Sequence, residues 1–340
     1  MMKFKSIVFK ALLLFVSLAF SLNAGTTKKI KDFADREVEL PTKIEKIVTL
    51  GSVGVLNCFV FAMDEGDKIA NALPPRFSKT DRWKYHLKFN PELKTKPVVE
   101  DAESSIIMEE LLKVNPDVIF TMNKKQAQDA EAKGLKAVVL TWKNASDAKD
   151  VVNLLGEIFN KPQRAQKYTQ YFDDMLQKIN NAVSKVSQDK RVTALNTTLK
   201  RLALGHIIGE WWIEQAGGVS VSKDIRISES QNYSLEQLLV WDPDFLLVQT
   251  KADKEFAYSD ARFKNLKAVK NNKVFVTPVF GHVWANRTME QPLTVLWAAK
   301  LFYPDAMKDI SLKYELKKFS KEFFSYELSD EECDEILGVL

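Results

Sequence analysis

The chain reads MEELLKVNPDVIF at residues 108–120 and LEQLLVWDPDFLL at residues 235–247, so one pattern returns after 127 residues. In each copy a glutamate opens a short amphipathic helical segment, and Pro-Asp ends that segment seven and eight residues further on. An apolar run suited to a buried parallel strand follows at once. This duplicated helix–turn–strand unit predicts two similar α/β lobes, with Glu109 and Glu236 at equivalent positions on them.

Strand and helix patterns alternate on both sides of the first copy. Residues 31–41 alternate like an edge hairpin, and residues 46–50 form an apolar run typical of a buried strand. The remaining predicted elements are an apolar helix from the turn at 51–54 through Met63, strands at 116–121 and 137–140, and a helix at 127–133. Together these segments indicate a first βα lobe.

A different pattern begins at Pro162, a residue that the first turn of a helix tolerates. Apolar residues then recur every three or four positions, which predicts one long helix; they are Ala165, Tyr168, Phe172, Met175, Ile179, Val183 and Val186. A second lobe is predicted from strands at 191–195, 244–248 and 273–277 and helices at 211–216 and 234–240.

The predicted fold is therefore α/β, with two Rossmann-like lobes joined by a single long α-helix and a ligand cleft between the lobes. Four segments follow from this reading: a signal peptide at 1–24, an N-terminal lobe at 25–161, a connecting helix at 162–188, and a C-terminal lobe with closing helices at 189–340.

The N-terminal segment has the pattern of a signal peptide. Lys3, Lys5 and Lys10 precede an apolar run at residues 11–20, and Ala24 supplies the small residue before cleavage. The first cysteine is Cys58, so no lipid-modified cysteine would follow the signal peptide. We expect an untethered chain in the periplasm.

Charge and cysteine content narrow the possibilities further. Removing three lysines from a formal net charge of +4 leaves about +1, which argues against nucleic acid as a partner. Cys58 and Cys333 are the only cysteines. A disulfide is permitted in the periplasm, but two separately buried thiols are the favoured interpretation.

All three histidines lie in loops that follow predicted strands, and each has tryptophan nearby in sequence. Such loops line the cleft of α/β lobes, where imidazole can contact a metal chelate, tryptophan can cover a flat ligand and arginine can pair with oxygen anions. A structural role is the alternative for each histidine taken singly. The candidate ligand-binding residues are Arg82, Trp83, Tyr85, His86, His206, Trp211, Gln249, His282, Trp284 and Arg287, and the histidines are candidates for metal contact through a chelate.

Catalytic and nucleotide-binding motifs are lacking. The glycine pairs at 51 and 54 and at 205 and 209 do not have the spacing of a dinucleotide fingerprint, and no nucleophile elbow occurs. No two histidines lie closer than 76 residues, so the sequence gives no zinc-hydrolase motif, although a site assembled in space stays open. Glu109 and Glu236 suit the first turn of a helix on electrostatic grounds alone, but their matched placement favours a two-part docking face.

The chain resembles class III periplasmic substrate-binding proteins of ABC importers, the group that delivers ferric siderophores, haem, cobalamin and related metal chelates. The resemblance covers the whole predicted mature chain. It is carried by residues 35–48, the two glutamate and Pro-Asp units, the segment WWIEQAGGV at 211–219, and the single long helix after 156–159.

The resemblance implies a bilobal protein with little hinge motion, no catalysis and no intrinsic cofactor. It also implies that Glu109 and Glu236 pair with arginines of a permease dimer in the inner membrane, and that the receptor works as a monomer. We expect a periplasmic receptor for a metal chelate, an iron(III)–siderophore type complex first. Nickel–histidine, haem and cobalamin are alternative cargoes, and a periplasmic α/β enzyme is the alternative from another class.

Overall fold

The protein is described by a computed structural model that covers residues 26–142, 144–229 and 231–338. The predicted signal peptide lies outside the described residues. Strands β1 (Thr27–Lys31) and β2 (Glu37–Pro41) pair antiparallel, so the predicted hairpin exists but starts earlier than expected. No helix of the described ranges is both long and apolar enough to cross a membrane.

The first lobe contains a three-stranded parallel sheet in the order β3 (Ile47–Leu50), β4 (Val118–Thr121) and β5 (Ala137–Val139). Every residue of helix α1 is buried, because this helix lies between the sheet and later helices. The helices of this lobe are α1 (Val53–Ala62), α2 (Pro75–Ser78), α3 (Lys84–Phe89), α4 (Met108–Val114), α5 (Lys124–Glu131) and α6 (Asp147–Ile158).

Helix α7 (Pro162–Val183) is the predicted long helix and is continuous over 22 residues. Six of the seven predicted apolar positions are buried within it. The seventh, Val186, follows the end of the helix and is partly buried. Helix α7 packs against α6 on one side and against a later helix of the second lobe on the other, so it connects the lobes.

The second lobe contains a five-stranded sheet in the order β10-β9-β6-β7, with β8 beside β6. Strands β6, β8, β9 and β10 are parallel, and β7 runs antiparallel to β6. The strands are β6 (Thr193–Thr198), β7 (Ala203–Leu204), β8 (Val219–Ser220), β9 (Phe245–Val248) and β10 (Val274–Val276). The helices are α8 (Ile208–Gln215), α9 (Leu235–Trp241), α10 (Lys251–Ser259), α11 (Lys267–Lys270) and α12 (Gln291–Phe302).

The duplicated unit is the same in both lobes down to its hydrogen bonds. Asn115 and Asp242 end α4 and α9 in the left-handed conformation, with φ of 48° and 37°. The Asp117 carboxylate accepts from the Lys46 N–H at 2.8 Å, and the Asp244 carboxylate accepts from the Thr193 N–H at 2.8 Å. Each aspartate therefore ties the start of its own strand to the start of the neighbouring parallel strand, as a true internal repeat requires.

The closing helices return to the first lobe. Helix α13 (Leu312–Phe324) packs against α1, and α14 (Asp330–Leu337) is joined to α3 by the ion pairs Lys84–Glu335 and Lys88–Glu332. The C-terminal segment thus covers both lobes. Cys58 and Cys333 are buried free thiols, which confirms the favoured interpretation.

Candidate ligand-binding cleft

A cavity of about 370 Å³ lies where the loops of the two lobes meet. Its walls combine side chains that follow β3, β4 and β5 with side chains from the start of α8 and the loop after β10. The lining residues are Gly51, Ser52, Gly54, Val55, Phe77, Arg82, Trp83, Met122, Trp142, His206, His282, Val283, Asn286 and Arg287. The cavity is therefore at the carboxyl ends of the strands, as expected for an open α/β sheet.

The start of α1 forms the floor of the cavity on the first lobe. The chain leaves β3 through Gly51 and Ser52, and α1 carries no acidic residue in its first turn. A Cβ atom at Gly54 would lie 2.7 Å from the Trp83 ring, so glycine lets the indole pack directly on the helix backbone. The positive end of this helix dipole is thereby left facing the cavity without a competing carboxylate of its own.

His206 enters the cavity from the start of α8. Its Nδ1 accepts a hydrogen bond from the Ile208 N–H at 3.1 Å, so the neutral ring carries its proton on Nε2. Burial and the charge of Arg287 lower the pKa of His206 to about 4. At neutral pH the ring is therefore uncharged, and its Nε2–H has no hydrogen-bond partner among the described residues.

His282 comes from the loop between β10 and α12 and is nine-tenths buried. Its ring lies 5.2 Å from the Trp83 ring, centroid to centroid, which brings the two lobes into contact. Burial, followed by the nearby His86, lowers the pKa of His282 to about 3. Its Nδ1 atom is itself buried, so it is not placed to contact a ligand directly.

The two arginines of the cavity differ in their hydrogen bonds and ion pairs with the rest of the protein. Arg287 donates to the Trp142 carbonyl of the first lobe and pairs with Glu229 at 2.7 Å. Arg82 is exposed at the opposite wall, and its guanidinium has no hydrogen bond or ion pair within the described ranges. Because no aspartate or glutamate of the described residues lines the cavity, its net charge is positive.

Glu290 holds the loop that carries His282 and Arg287. Its buried carboxylate accepts from the Gly281 and His282 N–H groups at 3.2 and 2.7 Å, and from the Trp284 indole N–H at 2.9 Å. Burial raises the pKa of Glu290 to about 7 in spite of these donors. Glu290 was not among the residues predicted from the sequence, because a lone glutamate before a helix has no distinguishing motif.

The structure brings together five of the ten candidate residues: Arg82, Trp83, His206, His282 and Arg287 line the cavity. Gln249 donates to the Asn196 side chain at 2.9 Å, and Trp211 stacks on Phe172 with centroids 6.4 Å apart, so neither lines it. Tyr85 and Trp284 are buried in the core. Ser52, Phe77, Met122, Trp142 and Asn286 also line the cavity but were not among the candidates.

His86 lies behind the cavity wall and is fully buried. Its Nε2 donates to the Gly281 carbonyl at 2.8 Å, and burial lowers its pKa to about 4. This contact ties α3 of the first lobe to the loop of the second lobe. The predicted direct contact between His86 and a ligand therefore does not match its position, whereas a role in joining the lobes does.

A bare metal ion has no ready-made site. Across the part of the chain that the structure describes, no group of three or more His, Cys, Asp or Glu is placed to hold one. The cavity instead offers hydrogen-bond donors, positive charge and aromatic walls. This combination suits an anion, or a metal that arrives within an anionic complex.

The predicted docking glutamates lie on the surface, away from the cavity lining. Glu109 of α4 is 80% exposed and pairs with Lys113 at 2.9 Å. Glu236 of α9 is exposed as well. The structure therefore leaves both carboxylates accessible to a partner.

A family described as Periplasmic binding protein matches residues 65–279 of the chain. The chain is 28% identical to the molybdate-binding protein MolA of Haemophilus influenzae, over 95% of this chain and 97% of that protein. It is 26% identical to the iron-uptake system-binding protein of Bacillus subtilis, over 75% of this chain and 81% of that protein.

A solved structure supports the fold independently. The chain superposes on a periplasmic solute binding protein from Veillonella parvula with a TM-score of 0.80 and 24% identity, over 92% of this chain and 98% of that one. The comparisons confirm the resemblance drawn from the sequence and the predicted α/β bilobal fold. The matched proteins are solute-binding proteins and not enzymes.

Proposed function

Because the chain belongs to the periplasmic binding protein family, we propose that it is the solute receptor of an ABC importer and that its cargo is a small anion of the molybdate type. One observation carries the proposal: two arginines and two histidines of the described residues line the cavity, and no carboxylate does. The predicted periplasmic location and cleaved signal peptide are part of the same proposal.

The cavity has the chemistry to hold a tetrahedral oxyanion. Arg82 supplies an unpaired positive charge from the first lobe, and the free Nε2–H of His206 supplies a donor from the second. Hydrogen bonds from charged donors to oxyanions are about twice as strong as neutral ones. The Ser52 hydroxyl and the start of α1 add further donors on the first lobe. The similarity to the molybdate-binding protein of H. influenzae supports this cargo.

An anionic iron(III)–siderophore type complex is the second candidate. Phe77, Trp83 and Trp142 give the cavity an aromatic wall that a simple oxyanion does not need. A second, wider recess shares Gly51, Ser52 and Met122 with the cavity, so a larger ligand could extend into it. The similarity to the iron-uptake protein of B. subtilis favours the same candidate.

We also propose how the molecule is organised for delivery. The lobes at 25–161 and 189–340 flank the cleft, residues 162–188 connect them, and Glu109 and Glu236 dock on the permease dimer. The matched hydrogen bonding of the two Pro-Asp units supports this equivalence of the lobes. Arginines on the two permease halves would pair with the two glutamates.

The decisive experiment is native mass spectrometry of the protein purified from its own periplasm, followed by calorimetric titration. Titration with molybdate, tungstate, sulfate and a ferric catecholate would separate the two cargo classes. Tight binding of molybdate, with a retained mass to match, is the expected result. Binding of the ferric complex alone would replace the first cargo with the second, and binding of no anion would overturn the proposal that the cavity is an anion-binding site.

A further inference from the structure

Two exposed leucines occupy equivalent positions of the duplicated unit. Leu112 on α4 is 42% exposed, and Leu239 on α9 is 45% exposed. The residue before each of them, Leu111 or Leu238, is completely buried. A single exposed leucine is ordinary on a protein surface, but two at matching positions of a repeat indicate a shared function.

Each leucine shares a helix face with a docking glutamate. Leu112 follows Glu109 by three residues, and Leu239 follows Glu236 by three residues, so each pair lies side by side on its helix. Both glutamates are exposed, and their helices bury the opposite face. The result is one carboxylate and one apolar side chain on the outer surface of each lobe.

The direction of the helices puts both pairs on the cleft side of the molecule. Helices α4 and α9 lead through Pro-Asp straight into the parallel strands β4 and β9, so they run back along the strands. Their N-terminal turns therefore point to the edge where the strands end, which is the edge that holds the cavity. A partner that receives the cargo has to approach this edge.

We propose that Leu112 and Leu239 are paired apolar anchors that bury against the two halves of a two-fold symmetric membrane permease, beside Glu109 and Glu236. This inference rests on the proposed function. A two-fold partner presents the same patch twice, which matches a receptor that presents the same Glu–Leu pair on each lobe. The leucines would exclude water from ion pairs that are weak when fully exposed to solvent and salt.

The lobes are not identical around the anchors. Val240 on α9 is 79% exposed, whereas Lys113 holds the equivalent position on α4 and pairs with Glu109. The apolar surface on the second lobe is therefore the larger one. Against two identical permease halves, the α9 side of the receptor should therefore bury more of its own apolar area than the α4 side.

The test compares variants that replace the wild-type gene in the source cell. The test variant is Leu112→Ser with Leu239→Ser, and the matched control is Val219→Ser with Tyr314→Ser, at positions 43% and 63% exposed outside both repeat units. Reference strains carry Glu109→Lys with Glu236→Lys, or a deletion of the gene. The readout is the initial accumulation of molybdenum and iron from media supplied with molybdate and a ferric catecholate, together with the affinity of each purified variant for both probes.

The leucine variant should accumulate the transported element about tenfold more slowly at limiting supply, equivalent to about 1.4 kcal/mol of docking energy, and keep wild-type affinity for the probe. The surface control should behave as wild type. Wild-type accumulation by the leucine variant would overturn the proposal, as would an equal loss in the control. A wild-type dimer that the leucine variant breaks would assign the surface to a second copy instead. Unchanged accumulation in the deletion strain would overturn the proposed function itself.

Discussion

At the scale of single residues, the polar groups in and behind the cavity fall into two sets. Some form hydrogen bonds or ion pairs with the protein, and others have no such partner among the described residues. Arg287 and His86 are held by the protein, through Trp142 and Glu229 in one case and Gly281 in the other. The Arg82 guanidinium has no such partner among the described residues. A ligand gains most from groups without competing partners, so Arg82 should affect affinity more than stability.

Replacing Arg82 with glutamine should weaken the binding of molybdate by about tenfold or more, since one charge-assisted contact contributes about 1.5–3 kcal/mol. The melting temperature of the ligand-free protein should hardly change, because the guanidinium has no partner to lose within the described ranges. Calorimetric titration and thermal unfolding measure the two quantities. Arg201→Gln removes the same charge at an exposed position outside the cavity and serves as the control. Equal affinity in Arg82→Gln and wild type would contradict the role of Arg82.

The buried histidines should make the protein less stable in mild acid. The pKa values of His86 and His206 are lowered to about 4 and that of His282 to about 3, whereas an unfolded histidine titrates near 6.5. Below pH 6.5 the unfolded chain therefore binds more protons, and the free energy of unfolding falls as the pH drops towards 4. Glu290, with its pKa raised to about 7, and Glu100, whose pKa is raised by burial, act in the opposite direction, but two groups oppose three.

Urea unfolding at pH values between 4 and 6.5 tests this pH dependence. Replacing His86 with glutamine should reduce the slope of stability against pH by up to about 1.4 kcal/mol per pH unit, which is the effect of one proton. The glutamine amide can still donate to the Gly281 carbonyl, and any change in that hydrogen bond shifts the stability at every pH without altering the slope. Identical slopes in the variant and wild type would rule out a depressed pKa at His86.

At the scale of elements, the loop between β10 and α12 joins the two lobes. It carries His282 and Arg287 into the cavity. It also packs so tightly that a Cβ atom at Gly281 would lie 2.8 Å from the Phe324 ring of α13 and 3.0 Å from the Cys58 sulfur of the first lobe. Glu290 fixes the conformation of this loop by accepting hydrogen bonds from its backbone and from Trp284. The position of the cavity donors therefore depends on one buried carboxylate.

Replacing Glu290 with glutamine should lower the free energy of unfolding by about 1–3 kcal/mol. The amide keeps one acceptor oxygen, but its NH₂ group replaces the other oxygen and faces the N–H donors of the loop. Molybdate affinity should fall as well, since the loop positions His282 and Arg287. Denaturant unfolding and calorimetry measure the two effects. Glu255→Gln, at an exposed position, should change neither. A Glu290→Gln variant with wild-type stability would contradict the clamping of this loop.

At the scale of the whole molecule, the lobes have more than one connection. Helix α7 runs unbroken between them, His86 and Arg287 form hydrogen bonds across them, and α13 and α14 return from the second lobe to pack on the first. Hinge closure requires a few flexible residues that absorb the motion, and this set of contacts opposes it.

Binding should therefore produce only a small closure. Small-angle X-ray scattering with and without saturating molybdate should give nearly the same radius of gyration, because α7 and the loop of Glu290 hold the lobes at a fixed separation. A helix-breaking change such as Gln170→Pro in α7 should increase the difference between the two states. A contraction in the wild type as large as that of two-hinge binding proteins would contradict the prediction.

Local sequence patterns were sufficient for the plan of the fold and for many of its elements, although helices α6 and α12 were not predicted. The repeat at 108–120 and 235–247 predicted two lobes with matched glutamates, and the spacing from Ala165 to Val186 predicted α7, which ends at Val183. Boundaries were less accurate: α5 begins at Lys124 and not at residue 127, because the Asn123 side chain caps it by accepting from the Lys125 N–H at 2.8 Å. Periodicity and caps act over a few residues, so the sequence displays them directly.

The cavity was decided by the tertiary structure. Proximity to a strand end predicted His206 and His282, which line the cavity. The same rule also selected Gln249, whose side chain instead donates to Asn196. It was not applied to Trp142, which follows β5 and does line the cavity. Which loops share one cavity depends on how α7 and the closing helices set the lobes against each other. That packing joins residues more than a hundred positions apart, as when His86 meets Gly281, and no local pattern records it. The sequence by itself therefore determined the two lobes and the matched placement of Glu109 and Glu236, and long-range packing selected the side chains that line the cavity.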